Sequence, residues 1–153
     1  MLIVPLFVIG SLLTMEPDIT GTWTCDPYVI RQPSITARVS ETHVNLADGT
    51  STTEATAEYT LDSGEKIVVN ASFSGTWRLL KGSLRTTMKS VEVSSVSPEL
   101  FSNEEAEKIL MQSVGKGDWK EYNLTLEGDE MVVERLDPPA WLITPRRSCK
   151  RKV

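Results

Sequence analysis

The sequence contains few of the residues that build catalytic or metal sites. Its 153 residues include a single histidine, His43, and two cysteines, Cys25 and Cys149. These leave little material for a zinc site and restrict any histidine-based catalytic triad to His43. Glycine-rich phosphate loops and Cys-x-x-Cys and His-Glu-x-x-His motifs are also missing. We therefore predict a protein that is not an enzyme and that binds neither a metal nor another cofactor.

Positive charge is scarce as well. Sixteen basic residues face 21 acidic ones, which gives a net charge of −5. A general nucleic-acid binder needs a basic surface to neutralise phosphates, so we expect no nucleic acid as a partner. Five of the basic residues fall within 146–153. We interpret that segment as a basic, solvated tail.

The longest apolar run lies at the start of the chain, at residues 2–13. A membrane-spanning helix needs about 20 residues, so this run is too short to cross a bilayer. Its length is typical of a signal-peptide core, which has roughly 7–15 residues. We interpret residues 1–15 as an export signal or the remnant of a membrane anchor. The protein is then predicted to be periplasmic or secreted, with residues 2–13 as the segment able to contact a membrane.

The two cysteines are far apart in the sequence. An even cysteine count in an exported chain indicates a disulfide, here Cys25–Cys149. In a cytosolic protein the same two residues would be free, buried thiols. The prediction of the disulfide therefore depends on the prediction of export.

Between the ends, apolar and polar residues alternate with a period of two. The clearest example runs from Lys66 to Trp77, and a second runs from Thr53 to Leu61. The pattern predicts eight short-linked strands, the last at 140–144, within a domain covering 20–145. One helix is predicted at 103–114, where Ser102 and Glu105 form a capping box. Strands linked in this way favour an antiparallel up-and-down barrel, with a β-sandwich as the alternative.

Two of the longer strands change the phase of their apolar residues. In 35–46 the apolar positions pass from odd (Ile35, Ala37 and Val39) to even (Val44 and Leu46). In 84–93 the apolar positions also change phase, here from even to odd. Such changes predict a β-bulge or a bend in each strand.

A short motif at the start of the first strand resembles a family signature. Gly21-Thr22-Trp23 follows the export-like segment and is similar to the Gly-x-Trp signature of the lipocalin or calycin superfamily. The resemblance implies that Trp23 plugs the closed end of a barrel and that a basic residue, Arg135 or Arg146, packs over its ring. A disulfide that pins the C-terminal segment to the barrel is common in that family.

The layout of the chain, a hydrophobic segment followed by a barrel, resembles a second group of proteins. These are small lipocalin-like periplasmic partners of membrane-bound regulators in enteric bacteria. In them a partner domain completes a bile-salt pocket. The resemblance implies an accessory role beside a membrane-bound protein.

The inward face of the predicted barrel carries several small residues, and these leave room for a small molecule. We expect the cavity to be lined by Tyr59, Phe73, Trp77, Leu84 and Met88. A fully packed interior is the alternative. The sequence thus predicts binding of a small hydrophobic ligand. A protein-interaction module, with strand 50–60 as its free edge, and a protein inhibitor remain open, as do the ligand, the partner and the oligomeric state.

Overall fold

The computed structural model describes residues 16–115 and 117–153. Within helix α1 the side chains of Ser113 and Val114 are not described. The predicted export segment, residues 1–15, lies outside the described residues.

Eight antiparallel strands close into one barrel, and one helix interrupts them. Each strand pairs with its neighbours in sequence, and the ring closes where the first strand meets the last. This confirms the predicted mostly-β, up-and-down barrel rather than a sandwich. The elements are β1 (Gly21–Gln32), β2 (Ile35–Asn45), β3 (Thr50–Leu61), β4 (Lys66–Leu80), β5 (Ser83–Ser97), α1 (Asn103–Val114), β6 (Lys120–Glu127), β7 (Glu130–Arg135) and β8 (Arg146–Arg151).

The up-and-down order gives the barrel two different ends. One end, here called the closed end, carries the β2–β3, β4–β5 and β6–β7 turns, the start of β1 and the end of β8. The opposite end, called the open end, carries the β1–β2 and β3–β4 turns. It also carries helix α1 and the long connection at 136–145.

Helix α1 covers a gap in the sheet. Strand β5 pairs with β6 only over Ser83–Thr86, and α1 lies against the rest of β5. The capping box is present as predicted, with the Glu105 amide donating to Ser102 Oγ at 3.1 Å. Ala106 is buried in the contact with the sheet, whereas Ile109 is 54% exposed.

The predicted bulge in β5 is confirmed. The β4–β5 ladder shifts register twice, between Asn70 and Ala71 and between Ser74 and Gly75, each time with an extra residue on β5. A Cβ at Gly75 would lie 1.9 Å from the Thr87 carbonyl oxygen, so only glycine allows the two strands to approach this closely.

The predicted bulge in β2 is wrong. The β2–β3 register runs without interruption, and the irregularity lies on β1 between Cys25 and Tyr28. The odd-numbered residues of β2 remain on the face that holds Ala37 and Val39, and this face becomes polar toward Asn45. The apolar side chains changed phase because the barrel interior itself is partly polar. Strand β3 is also not an edge, since it pairs with both β2 and β4.

The position of the last strand differs from the prediction. Residues 140–144 form a loop with one bridge, Ile30 to Leu142, and β8 is formed by Arg146–Arg151. The prediction that 146–153 form a solvated tail, which rests on their charge, is wrong for 146–151. In fact Cys149 is buried, and Arg147 and Arg151, which alternate with it, are partly buried. The alternation of apolar and polar residues that indicates a strand is absent here, because arginines occupy inward-facing positions.

Trp23 closes the closed end of the barrel. Its side chain is fully buried with that of Ile19, and its indole N–H donates to the Ile19 carbonyl at 2.9 Å. The guanidinium of Arg151 lies 4.4 Å from the ring centroid. The expectation of Arg135 or Arg146 in this position is wrong. Arg135 lies over Tyr122 instead, and Arg146 pairs with an exposed glutamate.

The seam between β1 and β8 closes the ring. It contains only three paired positions, and at one of them the predicted disulfide joins Cys25 to Cys149. The described residues contain no free cysteine. The alternative of two free thiols is thereby excluded.

Loss of this disulfide is expected to destabilise the barrel strongly. The bridge spans 124 positions. Loop-closure entropy of the unfolded chain therefore predicts that C25S/C149S lowers the free energy of unfolding by about 4–5 kcal/mol. Urea unfolding followed by circular dichroism measures this difference. Reductant should reproduce the loss in the wild type and leave the double variant unchanged. A loss below about 1 kcal/mol would contradict the entropic account.

Candidate functional site

The five residues predicted to line a ligand cavity do not surround one space. Trp77 and Leu84 pack in the cluster around Trp23 at the closed end. Tyr59 and Phe73 belong to a second cluster, which includes Ala106 of α1. Met88 is buried as well. Much of the interior is therefore packed. The remaining candidate regions for a binding site are its polar part and the open end.

A group of charged and polar side chains occupies the middle of the barrel. Glu41 of β2 accepts a hydrogen bond from Arg147 of β8 at 2.7 Å and one from the Tyr28 hydroxyl at 3.0 Å. His43 Nε2 lies 3.2 Å from the same carboxylate. Arg147 also lies over the Tyr28 ring, 4.7 Å from its centroid. The side chains of Glu41 and Arg147 are only 12% and 13% exposed.

The pKa values in this group show how its charges are held. Burial by itself would raise the pKa of Glu41, but hydrogen bonds from His43 and the charge of Arg147 lower it far below its usual range. Burial and the Glu41 carboxylate raise the pKa of the Tyr28 hydroxyl. Burial opposes the charge of Arg147, yet Glu41 raises its pKa. The pair is thus ionised at neutral pH, and Tyr28 remains a hydrogen-bond donor.

In the same group a hydroxyl, an imidazole and a carboxylate lie next to one another in space. His43 Nδ1 lies 2.8 Å from Thr53 Oγ1, while its other nitrogen faces Glu41. This order of groups activates nucleophiles in some hydrolases. Here His43 and Thr53 are direct partners in the β2–β3 register, so pairing of the strands alone brings them together. We interpret the arrangement as a support that holds Glu41 in place.

A cleft lies near this group at the open end. It has a volume of about 310 Å³ and lies between the start of β6, the end of β7 and the connection that follows β7. Its walls combine aromatic rings and prolines with charged groups. The lining residues are Asp118, Trp119, Lys120, Arg135, Asp137, Pro138, Pro139 and Trp141.

Both cleft tryptophans are partly exposed, by 47% for Trp119 and 37% for Trp141. The guanidinium of Arg78 lies 4.3 Å from the centroid of the Trp119 ring. The backbone of Trp141 is fixed by the Arg31 amide, which donates to its carbonyl at 2.8 Å. The aromatic walls are therefore attached to the barrel rather than to a free loop.

The sequence did not predict this cleft. The available signal was the cluster of two prolines and a tryptophan within 138–141, directly after a strand. Pairing of β6 with β7 places residues 118–120 beside the end of β7. What could not be read from the sequence is the hydrogen bond from Arg31 of β1 that holds Trp141 at the same cleft.

A second depression lies between α1 and β5. It has a volume of about 570 Å³, and its lining combines charged residues, among them Lys89 and Lys108, with the apolar side chains of Val91 and Met111. The Val93 amide donates to the Glu107 carboxylate here at 2.9 Å. The Glu107 side chain thus accepts a hydrogen bond that the backbone of a neighbouring strand would otherwise accept at this edge of β5.

Within residues 16–115 and 117–153, no cluster of three or more histidine, cysteine or acidic side chains is arranged to hold a metal ion. In the same part of the chain, no helix is long and apolar enough to cross a membrane. No protein-family model matches the sequence, and no curated protein is significantly similar to it. The site must therefore be interpreted from its own chemistry.

The lowered pKa of Glu41 predicts how stability depends on pH. Because this pKa is lower in the folded than in the unfolded state, the ionised carboxylate stabilises the fold at neutral pH. That contribution is lost as the pH falls below about 5, near the unfolded pKa and beyond. We expect E41Q to flatten the acid limb of unfolding free energy plotted against pH, as measured by urea denaturation.

A matched control is E58Q, which alters an exposed glutamate on the adjacent strand β3. Its acid limb should follow the wild type. Equal acid limbs for E41Q and the wild type would show that the buried pair does not control acid stability.

Proposed function

We propose that the protein is a non-enzymatic, extracytoplasmic, lipocalin-like barrel that binds a small hydrophobic molecule. The observation that carries the proposal is the cleft at the open end, where Trp119, Trp141 and two prolines form the walls. The closed end is plugged by Trp23 and the middle of the barrel is occupied. A ligand therefore enters from the open end.

The size of the cleft supports a small ligand. Pockets for small molecules commonly measure about 300–1,000 Å³. A volume of about 310 Å³ falls at the lower limit of that range. Aromatic rings provide a large contact area at little entropic cost, and Pro138 and Pro139 restrict the backbone of the wall.

The proposed location outside the cytoplasm rests on the Cys25–Cys149 bridge. Disulfides of this structural kind persist in oxidising compartments and are rare in the cytosol. The apolar run at residues 2–13 agrees with export.

Binding is tested with N-phenyl-1-naphthylamine, an uncharged fluorescent probe of apolar sites. We expect saturable enhancement of probe fluorescence in the wild type and energy transfer from tryptophan. W141A should weaken binding by about tenfold, because it removes one aromatic wall of the cleft.

The matched control is W77F, which alters a tryptophan packed at the closed end. It should leave probe affinity unchanged. Absence of saturable binding by the wild type, or equal affinities of W141A and the wild type, would contradict a ligand in this cleft.

A second candidate is a protein-interaction module, which the edge of β5 favours. Among the described residues, no strand pairs with β5 beyond Thr86 on the side that α1 covers, and the Val93 amide donates to a glutamate side chain. A strand of a partner could replace that side chain and extend the sheet. The groove beside it carries Lys89 and Lys108, together with Glu104 and Glu107.

This candidate predicts that a partner purifies with the wild type from the extracytoplasmic fraction of its host but not with K89E/K108E. Affinity for the uncharged probe should be the same in both proteins, because the groove and the cleft share no residue. A partner retained equally by both proteins would place the interaction elsewhere.

A further inference from the structure

Two cations in the cleft lack an acidic partner. Lys120 begins β6 and Arg135 ends β7, and both side chains are partly buried. Among the described residues, no carboxylate oxygen lies within 4.0 Å of a charged nitrogen of either side chain. Two like charges therefore stand side by side in the cleft.

The environment of Arg135 is the more unusual of the two. Its Nε atom is buried and has no hydrogen-bond partner among the described residues, and its guanidinium lies 5.7 Å from the centroid of the Tyr122 ring. Other inward-facing arginines are paired. Arg147 bonds to Glu41 at 2.7 Å, and Arg151 lies 3.2 Å from Asp129. Because buried charges are normally paired, Arg135 lacks a counter-ion that its neighbours have.

The acidic groups nearby do not supply that counter-ion. Asp118 and Asp137 line the cleft but are exposed to solvent at its rim. Glu41 is already bonded to Arg147, His43 and Tyr28. The inner wall of the cleft is therefore cationic, whereas its outer rim is acidic.

We propose that Lys120 and Arg135 bind the anionic head of an amphipathic molecule that carries one negative charge, such as the carboxylate group of an alkyl carboxylate. This inference rests on the proposed function and specifies the class of its ligand. A guanidinium pairs well with a planar carboxylate, and the neighbouring ammonium adds a second charged donor. The acidic rim disfavours a doubly charged phosphate. The head thus enters first, and the apolar part lies against Trp141 and Pro139 at the mouth.

The test compares decanoate with 1-decanol, which share an alkyl chain and differ in charge. Each competes with N-phenyl-1-naphthylamine for the wild-type protein. We expect decanoate to displace the probe at a concentration about tenfold lower than decanol, because only decanoate pairs with the two cations.

Variants separate the head from the tail. K120M/R135M should abolish the preference for decanoate over decanol, measured as the ratio of their displacement constants in the same variant. K120R/R135K keeps both charges and should restore most of the preference for decanoate. The control R146M/K150M alters exposed cations of β8 that pair with Glu134 and Glu130, and it should have no effect. W141A should weaken both competitors alike.

The pH dependence gives a further readout. Burial and the charge of Arg135 lower the pKa of Lys120 to about 8, against the opposing effect of Glu41 and Asp118. Arg135, Asp118 and Asp137 share the cleft with it. Lys120 therefore loses its charge as the pH rises through this value. The preference for decanoate should decline over that range, and the affinity for decanol should remain constant.

The outcomes are distinguishable. A preference for decanoate that is lost in K120M/R135M and restored in K120R/R135K supports the head-group site. Equal displacement by decanoate and decanol in the wild type overturns the site while leaving a hydrophobic cleft in place. A preference that survives in K120M/R135M overturns the assignment to these residues. If the probe does not bind at all, the proposed function and this inference fail together.

Discussion

Closure of the ring between β1 and β8 is the constraint on which the rest of the structure depends. Only three paired positions form this seam, fewer than in the other ladders of the barrel. Side chains supply what the backbone does not. Cys25 and Cys149 form a covalent link, Arg147 crosses to Glu41, and Arg151 bonds to the carbonyls of Asp18 and Thr20 before the first strand. The last strand is thus attached to the first largely through bonds made by its side chains.

The same strand determines the character of the interior. Arg147 and Arg151 bring positive charge into the barrel, and each has an acidic partner. Their contacts divide the interior into a plug around Trp23 and a polar middle around Glu41. Space for another molecule is left at the open end, where Lys120 and Arg135 have no such partner. The stability of the barrel and the chemistry of its cleft are thus two results of how inward-facing charges are neutralised.

Much of the fold followed from local patterns. Alternation predicted the paired strands, the capping box at Ser102 predicted α1, and the cysteine count predicted the disulfide. Prediction failed where a barrel position holds a polar residue whose partner is distant in sequence. Glu41 interrupts the apolar alternation of β2, and Arg147, its partner 106 positions away, interrupts that of β8. The cleft was missed for a related reason: the β6–β7 hairpin brings residues 118–120 beside Arg135, but the Trp141 wall is placed by a hydrogen bond to Arg31 of β1, 110 positions away.

An even number of strands has a geometric consequence for the molecule as a whole. The chain enters the barrel and leaves it at the same end, beside Trp23, while the cleft opens at the other. A strand of eight residues spans at most roughly 25 Å, which sets the upper limit for the separation between the cleft and the end of β8 along the barrel. A protein held to a surface by Val153 would therefore present its cleft to the solution.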